Sequence, residues 1–176
     1  MANSNSSWKE RQLYAAKNQN QAEDKFIEKL KEKGYSSGQY CKYGFDELNP
    51  LDHFYLIPPV LRYTPDFVCI SKKEKKAFFT EVKSCGKDSQ FKVKVEQIPF
   101  YYGYNHIMPL HFFIYHIQRN DFLFLSFDQL MYGIEHIGVD HKFDSDGKKA
   151  KKLQYDDLCA IVKNDVPVYT NKNLPI

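Results

Sequence analysis

Three charged residues stand out in this 176-residue chain for the chemistry they could do together: Asp66, Glu81 and Lys83. Asp66 follows Pro65, and Glu81-Val82-Lys83 comes 15 residues later. Asp66 leads a short apolar run, Phe67-Val68-Cys69-Ile70, and a lysine-rich turn, Ser71–Lys76, separates it from a second run, Ala77–Lys83. Two strands joined by a polar turn predict an antiparallel hairpin. The start of the first strand then faces the end of the second, which brings Asp66 beside Glu81 and Lys83. Side chains alternate along a strand, so Glu81 and Lys83 share a face, while Val82 points into the opposite layer with its carbonyl free. Two carboxylates at one spot repel each other unless a cation lies between them. Mg2+ suits such a place, because it takes oxygen ligands and keeps waters and substrate phosphate in its shell. The adjacent lysine can neutralise a scissile phosphate or polarise an attacking water.

The elements that must hold these residues lie on both sides of the hairpin. Residues up to about Asn20 are polar and rich in Asn and Ser, and read as a loose arm with some helix around Trp8–Ala16. Gln21–Lys33 is an amphipathic helix with Ala22, Phe26, Ile27 and Leu30 on one face and Gly34 as its stop. Tyr35–Pro59 reads as irregular, with a strand at His53–Ile57. After the Ser84–Ser89 loop, Gln90–Tyr104 is expected to be helical. Phe91-Lys92-Val93-Lys94-Val95 nonetheless alternates like a strand, and Pro99 would remove a hydrogen bond from a helix interior. Helical spacing puts Lys94, Gln97 and Tyr101 on one face. His111–Ile117 and Phe122–Phe127 are two more strands, and Phe127–Tyr132 is a short helix stopping at Gly133. The tail, Lys142–Ile176, predicts no particular element. This is an α/β order with a central mixed sheet of four to five strands and helices on its faces. The domain reading is an arm at 1–20, a core at 21–132 and an extension at 133–176 packed on that core.

Composition bounds the rest. Hydrophobic residues make up 43% and charged residues 27%, enough to bury a core and unlike a disordered chain. No stretch approaches the roughly 20 apolar residues of a membrane helix. Met1–Ser7 has neither the basic start nor the apolar run of a signal peptide, so a cytoplasmic protein without a membrane partner is expected. The net charge of +3 does not announce a polyanion partner, but its distribution is uneven. From Ser71 to Lys94 there are eight lysines against three acids, and a second basic run holds Lys148, Lys149, Lys151 and Lys152. Such runs are usually solvated faces and gain meaning beside chemistry that wants a polyanion. Cys41, Cys69, Cys85 and Cys159 form no C-x-x-C pair and read as reduced thiols, not as a zinc site. His111 and His116 read as structural. Asp144-Ser145-Asp146-Gly147 is a turn and not a calcium loop, since Lys142 and Leu153 stand at its outer ligand positions.

Pro65-Asp66 with Glu81-Val82-Lys83 resembles the motif of the PD-(D/E)xK nuclease superfamily. Glu23-x-x-Phe26-x-x-x-Leu30-x-x-x-Gly34 resembles the helix preceding that motif, with Glu28 as the other candidate glutamate. Gln97-x-x-x-Tyr101 resembles the Q-x-x-x-Y element of the RecB-like branch, with Pro99 inside it as a departure. The resemblance covers about residues 21–128 and implies a restriction-endonuclease-like core in αβββαβ order. It implies that Asp66 and Glu81 ligate Mg2+ or Mn2+ with the Val82 carbonyl, and that Glu23 does so directly or through water. Lys83 would position and activate the water that attacks phosphorus in line and leaves a 5′-phosphate, with Gln97 and Tyr101 supporting the site. Lys87, Lys92 and Lys94 would track the backbone of DNA. The resulting reading is a Mg2+-dependent DNA endonuclease, site- or structure-specific, of phage or mobile-element type. A DNA exonuclease and a Holliday junction resolvase are alternatives of the same fold, and a resolvase or homing-type enzyme would be a homodimer. A non-catalytic DNA- or protein-binding module is the alternative of another class. The clustered C-terminal cysteines of iron–sulfur nucleases are absent, so no cluster is expected. Residues 35–59 and 142–176 are where specificity is expected to lie.

Overall fold

The computed structural model describes residues 8–44, 56–86, 88–143 and 147–164. Lys87, most of the expected strand at His53–Ile57 and Asp144–Asp146 lie outside the described residues.

The chain begins its described course with α1 (Trp8–Glu32), a single 25-residue helix. The expected start at Gln21 is therefore too late, and the stretch read as an arm is helical from Trp8. Ala22, Phe26 and Leu30 are buried along one side, as their spacing predicts. The helix closes where Tyr35 N–H donates to the Leu30 carbonyl over Gly34, which sits at φ +84°. A short strand β1 (Tyr40–Lys42) and a one-turn helix α2 (Pro59–Arg62) follow, and then the hairpin of β2 (Phe67–Ser71) and β3 (Lys76–Cys85).

The central sheet runs β1-β2-β3-β5-β6, with β5 at Leu110–His116 and β6 at Asp121–Ser126. Only β3 and β5 are parallel, and the remaining pairs are antiparallel. This is a central mixed five-stranded sheet with helices on its faces, the α/β arrangement that the order of the elements predicts. α1 covers one face over Phe67, Cys69, Val82, Phe113 and Tyr115. The other face is covered by α3 (Ile98–Ile107), α4 (Phe127–His136) and α5 (Tyr155–Lys163). A second, three-stranded antiparallel sheet joins that layer in the order β4 (Gln90–Lys94), β8 (Lys149–Gln154), β7 (Val139–Lys142). Among the described residues, no helix is long and apolar enough to cross a membrane.

Several expectations are corrected. Gln90–Tyr104 is not one helix: the alternation of Phe91 and Val93 prevails, both are buried, and the stretch forms β4 before a 3-10 turn at Val95–Gln97. Pro99 then falls in the first turn of α3, where a missing N–H leaves no bond broken. α4 runs past Gly133 to His136. Gly133 is buried against Ile161 and Leu153, where a Cβ would come within 3.1 Å of both, so it serves packing and not termination. α4 starts at a capping box in which Ser126 accepts from Gln129 N–H. The tail, from which no element was predicted, supplies β8 and α5, with Leu153, Tyr155, Leu158 and Ile161 in the core.

Candidate active site

The register of the hairpin creates the site. β2 pairs with β3 from Ser71↔Lys76 to Phe67↔Thr80 and no further, whereas β5 continues along β3 from Phe79↔Leu110 to Cys85↔His116. Past Thr80, the β2-side edge of β3 therefore lacks a strand partner. The backbone groups of Val82 that face this edge still need partners once buried. Asp66, the residue just before β2, fills the gap: its Oδ2 accepts from Val82 N–H at 2.6 Å. From the other side of the sheet, Gln19 of α1 donates its Nε2–H to the Val82 carbonyl at 2.6 Å. The carbonyl expected to be free is thus engaged, although a carbonyl oxygen has a second lone pair.

Alternation along β3 works as expected. Val82 is fully buried in the α1 layer, and Glu81 and Lys83 point together to the opposite face. Lys83 Nζ lies 2.6 Å from Glu81 Oε1, and the Tyr101 hydroxyl donates to the same oxygen at 3.0 Å. Glu81 is only 4% exposed, and its Oε2 is buried with no hydrogen-bond partner. Burial, and then the negative charge of Glu81, hold the Tyr101 phenol well above its ordinary pKa, so it remains a donor. Burial also raises the Asp66 carboxyl well above the usual carboxylate range, and the Glu81 charge adds to this. Lys83 and the Val82 N–H pull the other way without cancelling it. A group so placed needs positive charge to ionise comfortably.

The other sequence-predicted residues divide. Gln97 stands at the N-cap position of α3 with its Oε1 3.5 Å from the Tyr101 hydroxyl, so the pair reaches the site through Tyr101. Lys94 does not share their helix face, because it ends β4, and with Lys92 it lies near the Phe143 ring. Glu23 is one turn along α1 from Gln19 and pairs with Lys42 of β1 at 2.9 Å. Glu28 is on the exposed side of α1, bonded to Lys25. Gly44 packs against Asp66: a Cβ there would lie 3.1 Å from its Cα and 3.3 Å from Oδ1, so a side chain would press Asp66 by a few tenths of an ångström.

Gln19 is the site residue that the sequence reading missed. The signal was present in the spacing Gln19, Ala22, Glu23, Phe26, which continues the buried face upstream, but the polar composition around it reads as an arm.

Among the described residues, no three acidic, histidine or cysteine side chains already close on one point as a metal shell. The donor set around Glu81 and Asp66 is nonetheless all oxygen and contains an orphaned carboxylate oxygen, which fits a hard divalent cation.

No protein-family model matches the chain, and no curated protein matches its sequence. Among solved structures it is similar to Archaeoglobus fulgidus Hjc, a Holliday junction resolvase from an archaeal hyperthermophile. The identity is 10% and the TM-score 0.47, over 81% of this chain and 88% of that chain. Asp66, Glu81 and Lys83 lie at one end of the β2–β3 hairpin, as the spacing of the two apolar runs predicts.

Proposed function

We propose that the chain is a metal-dependent DNA endonuclease that hydrolyses phosphodiester bonds and leaves 5′-phosphates. The observation that carries this reading is the pairing of two carboxylates at the open edge of β3, one with an unpartnered oxygen, beside an ammonium already in contact. Asp66, Glu81 and the second lone pair of the Val82 carbonyl would hold Mg2+ or Mn2+, with Glu23 near enough in the fold to act through water. When bound, the ion would supply positive charge to the phosphate oxygens and lower the pKa of coordinated water.

The chain's own residues have distinct tasks in this reading. Lys83 faces the scissile phosphate, orienting the attacking water and offsetting charge that develops on phosphorus-bound oxygens. Tyr101 fixes the rotamer of Glu81 and excludes water from its inner side. Gln97 steadies Tyr101 from the helix cap. Gln19 and the Val82 side chain, buried on the opposite face, hold the carbonyl in register.

Supercoiled plasmid, linear duplex, single strands and a four-way junction incubated with Mg2+, Mn2+ or EDTA test the proposal. Nicked or linearised plasmid that depends on metal, and is lost in Asp66→Ala and Lys83→Ala, is the expected result. Mg2+ should also raise the Tm of the wild type but not of Asp66→Ala, since a ligand bound only by the native state stabilises it. Shortening from free ends alone would mean an exonuclease. Metal-independent Tm together with no cutting of any substrate would overturn the reading.

A further inference from the structure

The second sheet has a face that the candidate site does not use. Lys92 stands opposite Lys152 and Lys94 opposite Ala150, while His141 stands opposite Ala150 from the other side. Directly paired residues of a ladder lie on one face. Lys92, Lys94, Lys152 and His141 therefore share a face, the reverse of the one where Phe91, Val93 and Leu153 enter the core. No acid of β4, β8 or β7 lies on it: Asp140 is on the reverse side, opposite Lys151 and bonded to it at 2.8 Å. The nearest acid in sequence, Glu96, is taken by Lys148 at 2.5 Å and by the Tyr63 hydroxyl at 2.8 Å.

Like charges directly opposite in a sheet are destabilising, yet the fold keeps Lys92 against Lys152 with both side chains half-buried. An aromatic ring is set among these charges, with Phe143 at 6.0 Å from Lys92 Nζ and 5.8 Å from Lys94 Nζ. Basic side chains around a half-buried aromatic suit a phosphate backbone and the bases attached to it. Lysines two apart on a strand repeat at about 6.6 Å, close to two steps of about 3.4 Å along a DNA strand. The chain links this sheet to the site, because β4 leads through the 3-10 turn at Val95–Gln97 into α3, which carries Tyr101 to Glu81.

We propose that this face of the β4–β8–β7 sheet binds the DNA backbone beyond the scissile phosphate, with Lys152 and Phe143 of the C-terminal hairpin as contacts alongside Lys92 and Lys94. The proposal rests on DNA being the substrate, as in the nuclease reading. Its test is binding, measured as fluorescence anisotropy of a labelled duplex in EDTA across a salt series. Replacing Lys92, Lys94 and Lys152 together by Gln should weaken binding at least about tenfold at low salt. It should also make the slope of log affinity against log salt shallower by about 2 to 3, near 0.9 per lost contact. Replacing Lys72, Lys73 and Lys76 at the far end of the β2–β3 hairpin by Gln removes the same charge elsewhere and should leave the slope unchanged. The Tm of the face variant should hold or rise, because the Lys92–Lys152 opposition is relieved, and Lys152→Gln alone should already lower the slope by about 1.

An unchanged affinity and slope in the face variant, or an equal loss in the turn variant, would overturn the proposal. So would loss of binding to phosphatidylserine vesicles with DNA affinity intact, which would mark a membrane surface. Wild-type protein that binds DNA through this face without ever cutting would sink the nuclease reading and uphold the face. Wild-type protein that cuts DNA with a slope insensitive to these lysines would do the reverse.

Discussion

Gln19 reaches Val82 across 63 residues of sequence with one buried hydrogen bond, and its removal should be felt at the carbonyl it holds. Gln19→Met keeps the length of the side chain and deletes the donor. The Val82 carbonyl is then left unpaired, and a loss of about 1–3 kcal/mol is expected from chemical denaturation. The Mg2+-induced rise in Tm should shrink in the same variant, because the carbonyl is no longer fixed. A variant with wild-type stability and an undiminished metal shift would refute this role. His111 makes a separate prediction. Its ring stacks on Phe124 at 5.1 Å and meets Phe78 edge-on at 5.3 Å, with Nδ1 buried and unpartnered. Burial lowers its pKa below the ordinary 6.5, so the fold favours the neutral ring. The unfolded chain then takes up the proton first: the stability is present above about pH 6.5 and is lost as pH falls through the window below it. Thermal melts from pH 7.5 to 5 should show a smaller decline in His111→Phe than in the wild type, and equal declines would exclude the mechanism. Asp66, Glu81 and Lys83 were legible in the sequence because one hairpin brings them together. Gln19 was not, since its partner is a backbone atom in a distant strand and no residue type advertises that.

At the scale of elements, hydrophobic spacing was a dependable guide wherever a single layer decided the matter. The buried face of α1 and the alternate burial along β2 follow it, whereas β5 is buried on both sides along nearly its whole length. Misreadings fell where two signals competed. Gln90–Lys94 is a strand because Phe91 and Val93 bury on one side of a sheet whose other strands come from the C-terminal extension at 133–176. Those strands are hard to recognise: β8 is Lys149-Ala150-Lys151-Lys152-Leu153-Gln154, in which only Ala150 and Leu153 are buried. Pro99 looked disruptive only while the helix was thought to start before it. α1 depends heavily on Phe26, whose ring lies 5.2 Å from both Phe67 and Phe113. Phe26→Ala should cost about 3–5 kcal/mol. Since the same helix carries Gln19 and Glu23, cleavage should fall with it under conditions where the protein remains folded. Retention of full activity and stability would show that α1 is held by something other than this aromatic contact.

For the whole molecule, the central sheet separates two cores of unequal size. Among the described residues, eight buried residues make up the cluster beneath α1, and nineteen make up the cluster on the other side. Each contains one buried cysteine, Cys69 in the smaller and Cys85 in the larger. Burial pushes both thiols up to about 12, so neither presents a thiolate at neutral pH while its layer is closed. The two thiols therefore act as clocks, each timing the opening of its own layer. Under native conditions a small alkylating reagent should reach exposed Cys41 at once and Cys69 well before Cys85, and Phe26→Ala should quicken Cys69 alone. Equal rates for the two buried thiols would mean that the molecule opens as one unit. With Cys69 leading, detachment of α1 would be a separate event of lower energy, one that removes Gln19 from Val82 while the sheet itself stays intact.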